Sequence, residues 1–227
     1  MFIAVLITVL SIHQLTAQTN PSGWFFLSHA QKITGKWSYM TDVQLRSSSS
    51  FKYLQNVLIR PGLLYQLTEQ QSIGMGYTYF AAWDQSEVPY TFEPENRIFE
   101  QYAHKFDSKR FKLNNRFRLE QRFIQTTNGN IFAQRFRHQL QARFFITADE
   151  NFKKGLYINL QNEIFLNVQH KDKINKNVLD QNRPYAGIGY ALNDKIEMEA
   201  GFYYRFQIEA DARKKENIIQ LMLITNL

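Results

Sequence analysis

From Gly23 to the last residue the sequence alternates apolar and polar side chains with a period of two. Only an extended chain places every second side chain on one face, so the pattern calls for β-strands and needs no helix. The clearest stretch is 195–208, where Ile196, Met198, Ala200, Phe202, Tyr204, Phe206 and Ile208 interleave with Glu197, Glu199, Gly201, Tyr203, Arg205 and Gln207. Residues 111–125 set Phe111, Leu113, Phe117, Leu119 and Phe123 against Lys112, Arg116, Arg118, Glu120 and Arg122. Residues 130–146 oppose Phe132, Phe136, Leu140, Phe144 and Ile146 to Arg135, Arg137, Gln139, Gln141 and Arg143. Further segments at 24–32, 37–47, 51–67, 72–83, 97–106, 156–169, 181–192 and 217–227 bring the candidate strands to eleven.

The connections are of two kinds: short turns at 33–36, 68–71, 107–110 and 193–194, and mostly longer polar loops such as 84–96 and 170–180. Tight turns at one end and longer loops at the other are the asymmetry of an outer-membrane barrel. A soluble barrel also alternates, with its apolar face inward, and size separates the two. Eight strands already make a barrel that side chains or one small ligand fill, so apolar residues could not fill the lumen of ten or more. The polar face is therefore expected inside and the apolar face against lipid, with Trp24, Trp37, Tyr65, Trp83 and Tyr190 as interfacial girdles. The expected fold is a closed antiparallel transmembrane β-barrel of 10–12 strands. Eleven strands with a periplasmic C-terminus would leave the N-terminus outside the cell, so ten, eleven and twelve all stay open.

The first 17 residues carry no Asp, Glu, Lys or Arg, and their apolar core, 2–10, is far shorter than the roughly 20 residues of a spanning helix. A short apolar core, then polar residues and Ala17 before Gln18, reads as a cleaved secretory signal over 1–17, with the barrel over 18–227. Exported barrel, outer-membrane lipid and the barrel-assembly machinery as the partner during insertion form one consistent reading.

Composition removes whole classes of function. Without cysteine there is no disulfide scaffold, thiolate zinc site, thiol nucleophile or lipid-modified N-terminal cysteine. His13, His29, His104, His138 and His170 show no metal-ligand spacing, and no phosphate-binding glycine loop or calcium loop occurs, so no cofactor is expected. Lys and Arg number 27 against 20 Asp and Glu, a net +7. On an exported barrel, basic loops such as 171–176 and 213–215 face solvent or anionic lipopolysaccharide, not nucleic acid.

Much of the positive charge falls on the inward face. The arginines Arg46, Arg60, Arg116, Arg118, Arg122, Arg135, Arg137, Arg143, Arg183 and Arg205 share it with the carboxylates Asp42, Glu120, Glu163, Glu197 and Glu199. Guanidinium forks bind carboxylates bidentately, so cross-strand ladders would stiffen a plug, while the excess arginines would favour anions in a narrow wet passage. The glycines Gly74, Gly76, Gly187, Gly189 and Gly201 fall on the same face, either making room for rings such as Tyr185 and Tyr203 or keeping a channel open.

Three segments carry a resemblance: NRFRLEQRF (115–123) followed by RFRHQLQ (135–141), LQNEIFLN (160–167), and DQNRPYAGIGYAL (180–192) leading into EAGFYYRFQ (199–207). In order and spacing they resemble the Bacteroidota outer-membrane β-barrel family catalogued as domain of unknown function 2490, over essentially the whole mature chain. The resemblance implies a signal-bearing barrel and brings no catalytic residues. The chain ends on Leu227 where many barrels end on an aromatic residue read by the assembly machinery, and Leu227 lies on the apolar face.

An enzymatic reading has one foothold. If residues of the 149–151 hairpin pair so that their numbers sum to 300, outward His138 lies opposite outward Asn162, as an oriented base would require. No serine lies on these strands, so an outer-membrane lipid-modifying enzyme is the remote alternative. The expected function is a non-enzymatic, porin-like barrel with a plugged or anion-leaning lumen; surface binding or partner scaffolding through loops 84–96 and 170–180 stands second.

Overall fold

The computed structural model describes residues 20–86, 88–126, 129–148 and 153–227, so the expected signal at 1–17 lies outside the described residues. The alternation folds into eleven strands: β1 (Ser22–Thr34), β2 (Trp37–Ser47), β3 (Leu54–Gln66), β4 (Gln71–Asp84), β5 (Thr91–Asp107), β6 (Phe111–Thr126), β7 (Gly129–Phe145), β8 (Gly155–Gln169), β9 (Leu179–Ala191), β10 (Ile196–Ile208) and β11 (Arg213–Asn226). Each pairs with its chain neighbours and β1 pairs with β11, closing one barrel without an edge.

Consecutive strands are antiparallel throughout, and the seam is parallel, with Ser22 opposite Ile218 and Ala30 opposite Asn226. The seam follows from the odd count: directions alternate along the chain, so the first and last of eleven strands run the same way. It also places the start of β1 and the end of β11 at opposite rims, called here the first and the far rim. Cysteines replacing Phe25 and Leu221, opposite each other on the outward face of the seam, are expected to form a disulfide in the folded barrel. Cysteines at Phe25 and Ile219 are not, and equal cross-linking of both pairs on non-reducing gels would contradict the register.

Local chemistry sets the turns. Gly35, at φ +52°, supplies the left-handed residue of the two-residue β1–β2 hairpin. Asn193 Oδ1 accepts the backbone N–H of Lys195 (2.8 Å) and Ile196 (2.9 Å) between β9 and β10, and Thr68 Oγ1 accepts that of Gln71 (3.1 Å) between β3 and β4.

Three strand starts differ from expectation: β3 starts late, at Leu54, because 49–51 form a 3-10 turn, and β5 and β11 start early. β5 starts at Thr91, so most of the expected 84–96 loop is strand and the connection shrinks to 85–90. Pro94 sits opposite Ala81 beyond the end of the β5–β6 ladder, which starts at Glu95, and so blocks no bond on that side. β11 starts at Arg213, because the charged run before Asn217 continues the ladder to Ile208. The expected contrast between the two sets of connections is correspondingly weak: β6 ends at Thr126 and β7 starts at Gly129, and the spacing from Phe145 to Gly155 equals that from Gln169 to Leu179.

Outward side chains form an apolar belt that includes Leu45, Ile59, Leu63, Met75, Leu140, Leu160, Ile188, Met198, Phe202, Ile219 and Leu221, all exposed. Trp37 packs edge-on against Tyr65 (4.9 Å) and Trp83 lies against Phe92 (5.3 Å) at strand ends. At one polar interruption of the belt, Gln121 Nε2 donates to Glu100 Oε2 at 3.0 Å.

The interior also corrects the expected girdle, since Trp24 points inward and is buried. β1 begins with apolar residues of both parities (Trp24, Phe25, Phe26, Leu27), so alternation alone does not orient it; pairing with β2 and β11 does. Trp24 packs with Tyr185, Tyr203 and Ile218, and a second interior cluster joins Phe145, Tyr157 and Ala191. A polar lumen thus contains apolar rings, and four of the inward glycines seat them. A Cβ on Gly187 or Gly201 would fall within 2.4 Å of Tyr185, one on Gly189 within 2.2 Å of Tyr157, and one on Gly76 within 2.5 Å of Phe99.

Candidate functional site: the arginine-lined lumen

Period-two geometry delivers the charges. On β6, Arg116, Arg118, Glu120 and Arg122 share the inward face; on β7, Arg135, Arg137 and Arg143 do so; β8 adds Glu163, β9 Arg183, and β10 Glu197, Glu199 and Arg205.

Glu120, fully buried, is the hub. Its Oε2 accepts from Arg135 Nη2 (2.7 Å) and Nε (3.0 Å), and its Oε1 from Arg137 Nη1 (2.5 Å). Arg137 also reaches Glu163 through Nη2 (2.7 Å), and Arg116 donates to the same carboxylate at 2.8 Å. Arg143 pairs with Glu197 at 2.7 Å and Arg60 with Asp42 at 2.7 Å. Charge-assisted bonds of this kind join β2–β3, β6–β7 and β7–β8 across the ladder.

Four participants were not expected. Glu95 accepts from both Arg97 (2.7 Å) and Arg122 (2.6 Å); Glu95 comes from the early start of β5, and Arg97 stands at the first position of the expected 97–106 strand. Glu216 binds Arg205 because β11 also starts early. Asp180 takes Arg135 Nη1 at 2.9 Å; a bulge, where Phe165 pairs with Gln181 but Leu166 with Leu179, turns Asp180 inward against its parity. Only the two early strand starts leave a sequence trace, as alternation that continues through charged residues.

Three buried arginines have no carboxylate partner among the described residues. Glutamine carbonyls hold them instead: Gln44 holds Arg46, Gln181 holds Arg183 and Gln101 holds Arg118. Rings back these planes, with Arg46 3.8 Å from the Trp24 centroid, Arg118 4.1 Å from Phe99 and Arg183 4.3 Å from Phe165. Glu199 departs from the ladder in the opposite sense, accepting from Tyr185 Oη (2.7 Å) and Asn159 Nδ2 (2.8 Å) rather than from an arginine.

Side chains do not fill the lumen completely. A cavity of about 440 Å³ lies toward the far rim and one of about 170 Å³ toward the first rim. Four residues line both, and all are arginines: Arg46, Arg60, Arg137 and Arg183.

The register corrects the enzymatic foothold. His138 lies opposite Ile164, and Asn162 opposite Leu140, a two-residue displacement of the expected pairing. The His138 ring instead hydrogen-bonds Asn115 Oδ1 through Nε2 (2.7 Å) and stacks on Phe117, with centroids 4.7 Å apart.

The fold and interior define a closed eleven-stranded barrel with a buried arginine and carboxylate network. The chain belongs to the family described as a protein of unknown function, DUF2490, whose profile matches residues 22–216. No curated protein and no solved structure matches.

Proposed function

We propose that the protein is an exported outer-membrane β-barrel, not an enzyme, whose lumen is a narrow passage for small anions. The apolar belt supports membrane placement, since water-soluble monomers rarely expose apolar patches beyond a few hundred Å². Odd-stranded barrels do span membranes. In this reading the far rim, with Leu227, faces the periplasm and the first rim lies outside, so that Lys171, Lys173 and Lys176 would meet lipopolysaccharide.

One observation carries the passage: the two interior cavities share four lining arginines, two of which have no carboxylate partner among the described residues. Uncompensated positive charge in a low-dielectric constriction raises the local concentration of anions and repels cations. The paired arginines supply the rigid wall.

Refolded chain (residues 18–227) in a planar bilayer under a potassium chloride gradient is expected to give discrete current steps with a reversal potential on the chloride side. Arg46→Gln with Arg183→Gln should cut the anion preference severalfold. A folded but electrically silent barrel would overturn the passage and leave a rigid plug.

A further inference from the structure

Two of the junction arginines are oriented without being neutralised. On β2, Gln44 Oε1 accepts from Arg46 Nε at 3.1 Å and Nη2 at 2.5 Å; on β9, Gln181 Oε1 accepts from Arg183 Nε at 2.9 Å and from its Nη2. Each glutamine lies two residues before its arginine, on the same face of the same strand. In both pairs the neutral amide occupies the side edge of the guanidinium and leaves Nη1 with no bond among the described residues. The two groups converge on one indole, 3.8 Å and 5.4 Å from the Trp24 centroid, and are only 5% and 8% exposed; the third guanidinium over this ring, Arg205 at 5.7 Å, is paired with Glu216.

Four of the carboxylates around the two cavities are committed elsewhere: Asp42 to Arg60, Glu163 to Arg116 and Arg137, Glu95 to Arg97 and Arg122, and Glu197 to Arg143; the fifth, Asp107, stands at the far-rim end of β5, away from the junction. Two buried like charges facing one ring repel each other and lose hydration. A bound anion removes both penalties, and the end edge of a guanidinium matches an oxyanion better than a spherical halide.

We propose that the Gln44–Arg46 and Gln181–Arg183 pairs, over Trp24, form a binding site for a small solute bearing an oxyanion group, phosphate or carboxylate. The site deepens the lumen reading and rests on it for access. It makes the junction selective for oxyanions over chloride.

Trp24 is its own reporter once Trp37→Phe and Trp83→Phe remove the other two tryptophans. With this chain refolded in phosphatidylcholine vesicles, inorganic phosphate and acetate are titrated separately at constant ionic strength while Trp24 emission and its quenching by iodide are read. The expected result is a saturable emission change with protection from iodide, weakened at least tenfold by Arg46→Gln plus Arg183→Gln. Saturation by phosphate alone or acetate alone identifies which oxyanion the site takes. The double variant removes buried like charge, so its urea midpoint should match or exceed that of the parent, separating site loss from unfolding. A linear response, or saturation unchanged in the double variant, overturns the site. The two readings fail separately: a silent barrel with saturable binding loses the passage and keeps the site, and anion-selective steps without saturation do the reverse.

Discussion

Replacing Glu120 by glutamine is expected to cost the barrel about 3–5 kcal/mol, because it removes one partner of a fully buried ion-pair hub while leaving two guanidiniums in place. The amide keeps the volume, so the loss reports charge and not a cavity. Arg135 keeps Asp180 and Arg137 keeps Glu163, which sets the effect below that of stripping either arginine of every partner. Glu197→Gln is the contrast. Its single arginine, Arg143, and its own carboxylate keep 19% and 15% of their side-chain surface, so solvent takes up part of the imbalance and a loss of about 1 kcal/mol is expected. Urea titration of the refolded variants in vesicles measures both, and equal losses would show that burial does not set the worth of these pairs.

Gly76→Ala is the second large effect. The added methyl would fall 2.5 Å from Phe99 Cζ and 2.5 Å from the backbone oxygen of Pro61. Phe99 is fully buried and backs Arg118, so the ring has no free volume to enter, and the carbonyl belongs to the neighbouring strand. Overpacking of this kind costs about 1–3 kcal/mol, and contact with backbone as well as side chain points to the upper end. Adding Phe99→Leu should recover part of the loss, because it clears the ring and leaves the Pro61 oxygen in place. Full recovery, or none, in the same urea titration would show that the two obstacles are not separate.

Strand positions and the parity of nearly every inward charge were legible from the sequence, because alternation is a local property of extended chain. Arg116 to Arg122 and Arg135 to Arg143 needed no knowledge of their neighbours. Trp24 failed that test because both parities around it are apolar, and Asp180 failed because a bulge cancels its parity. The His138 pairing failed for a third reason: register across a connection of uncertain length cannot be read from one strand.

What the sequence by itself determined is therefore the strand, its two faces and the excess of arginine on the inner one. The tertiary structure alone decided which charges compensate one another and which do not. Arg46 on β2 and Arg183 on β9 share the Trp24 ring only because β1 closes in parallel on β11. Local periodicity says which way a side chain points, whereas the charge balance at a point in the lumen depends on strands that meet only when the sheet closes.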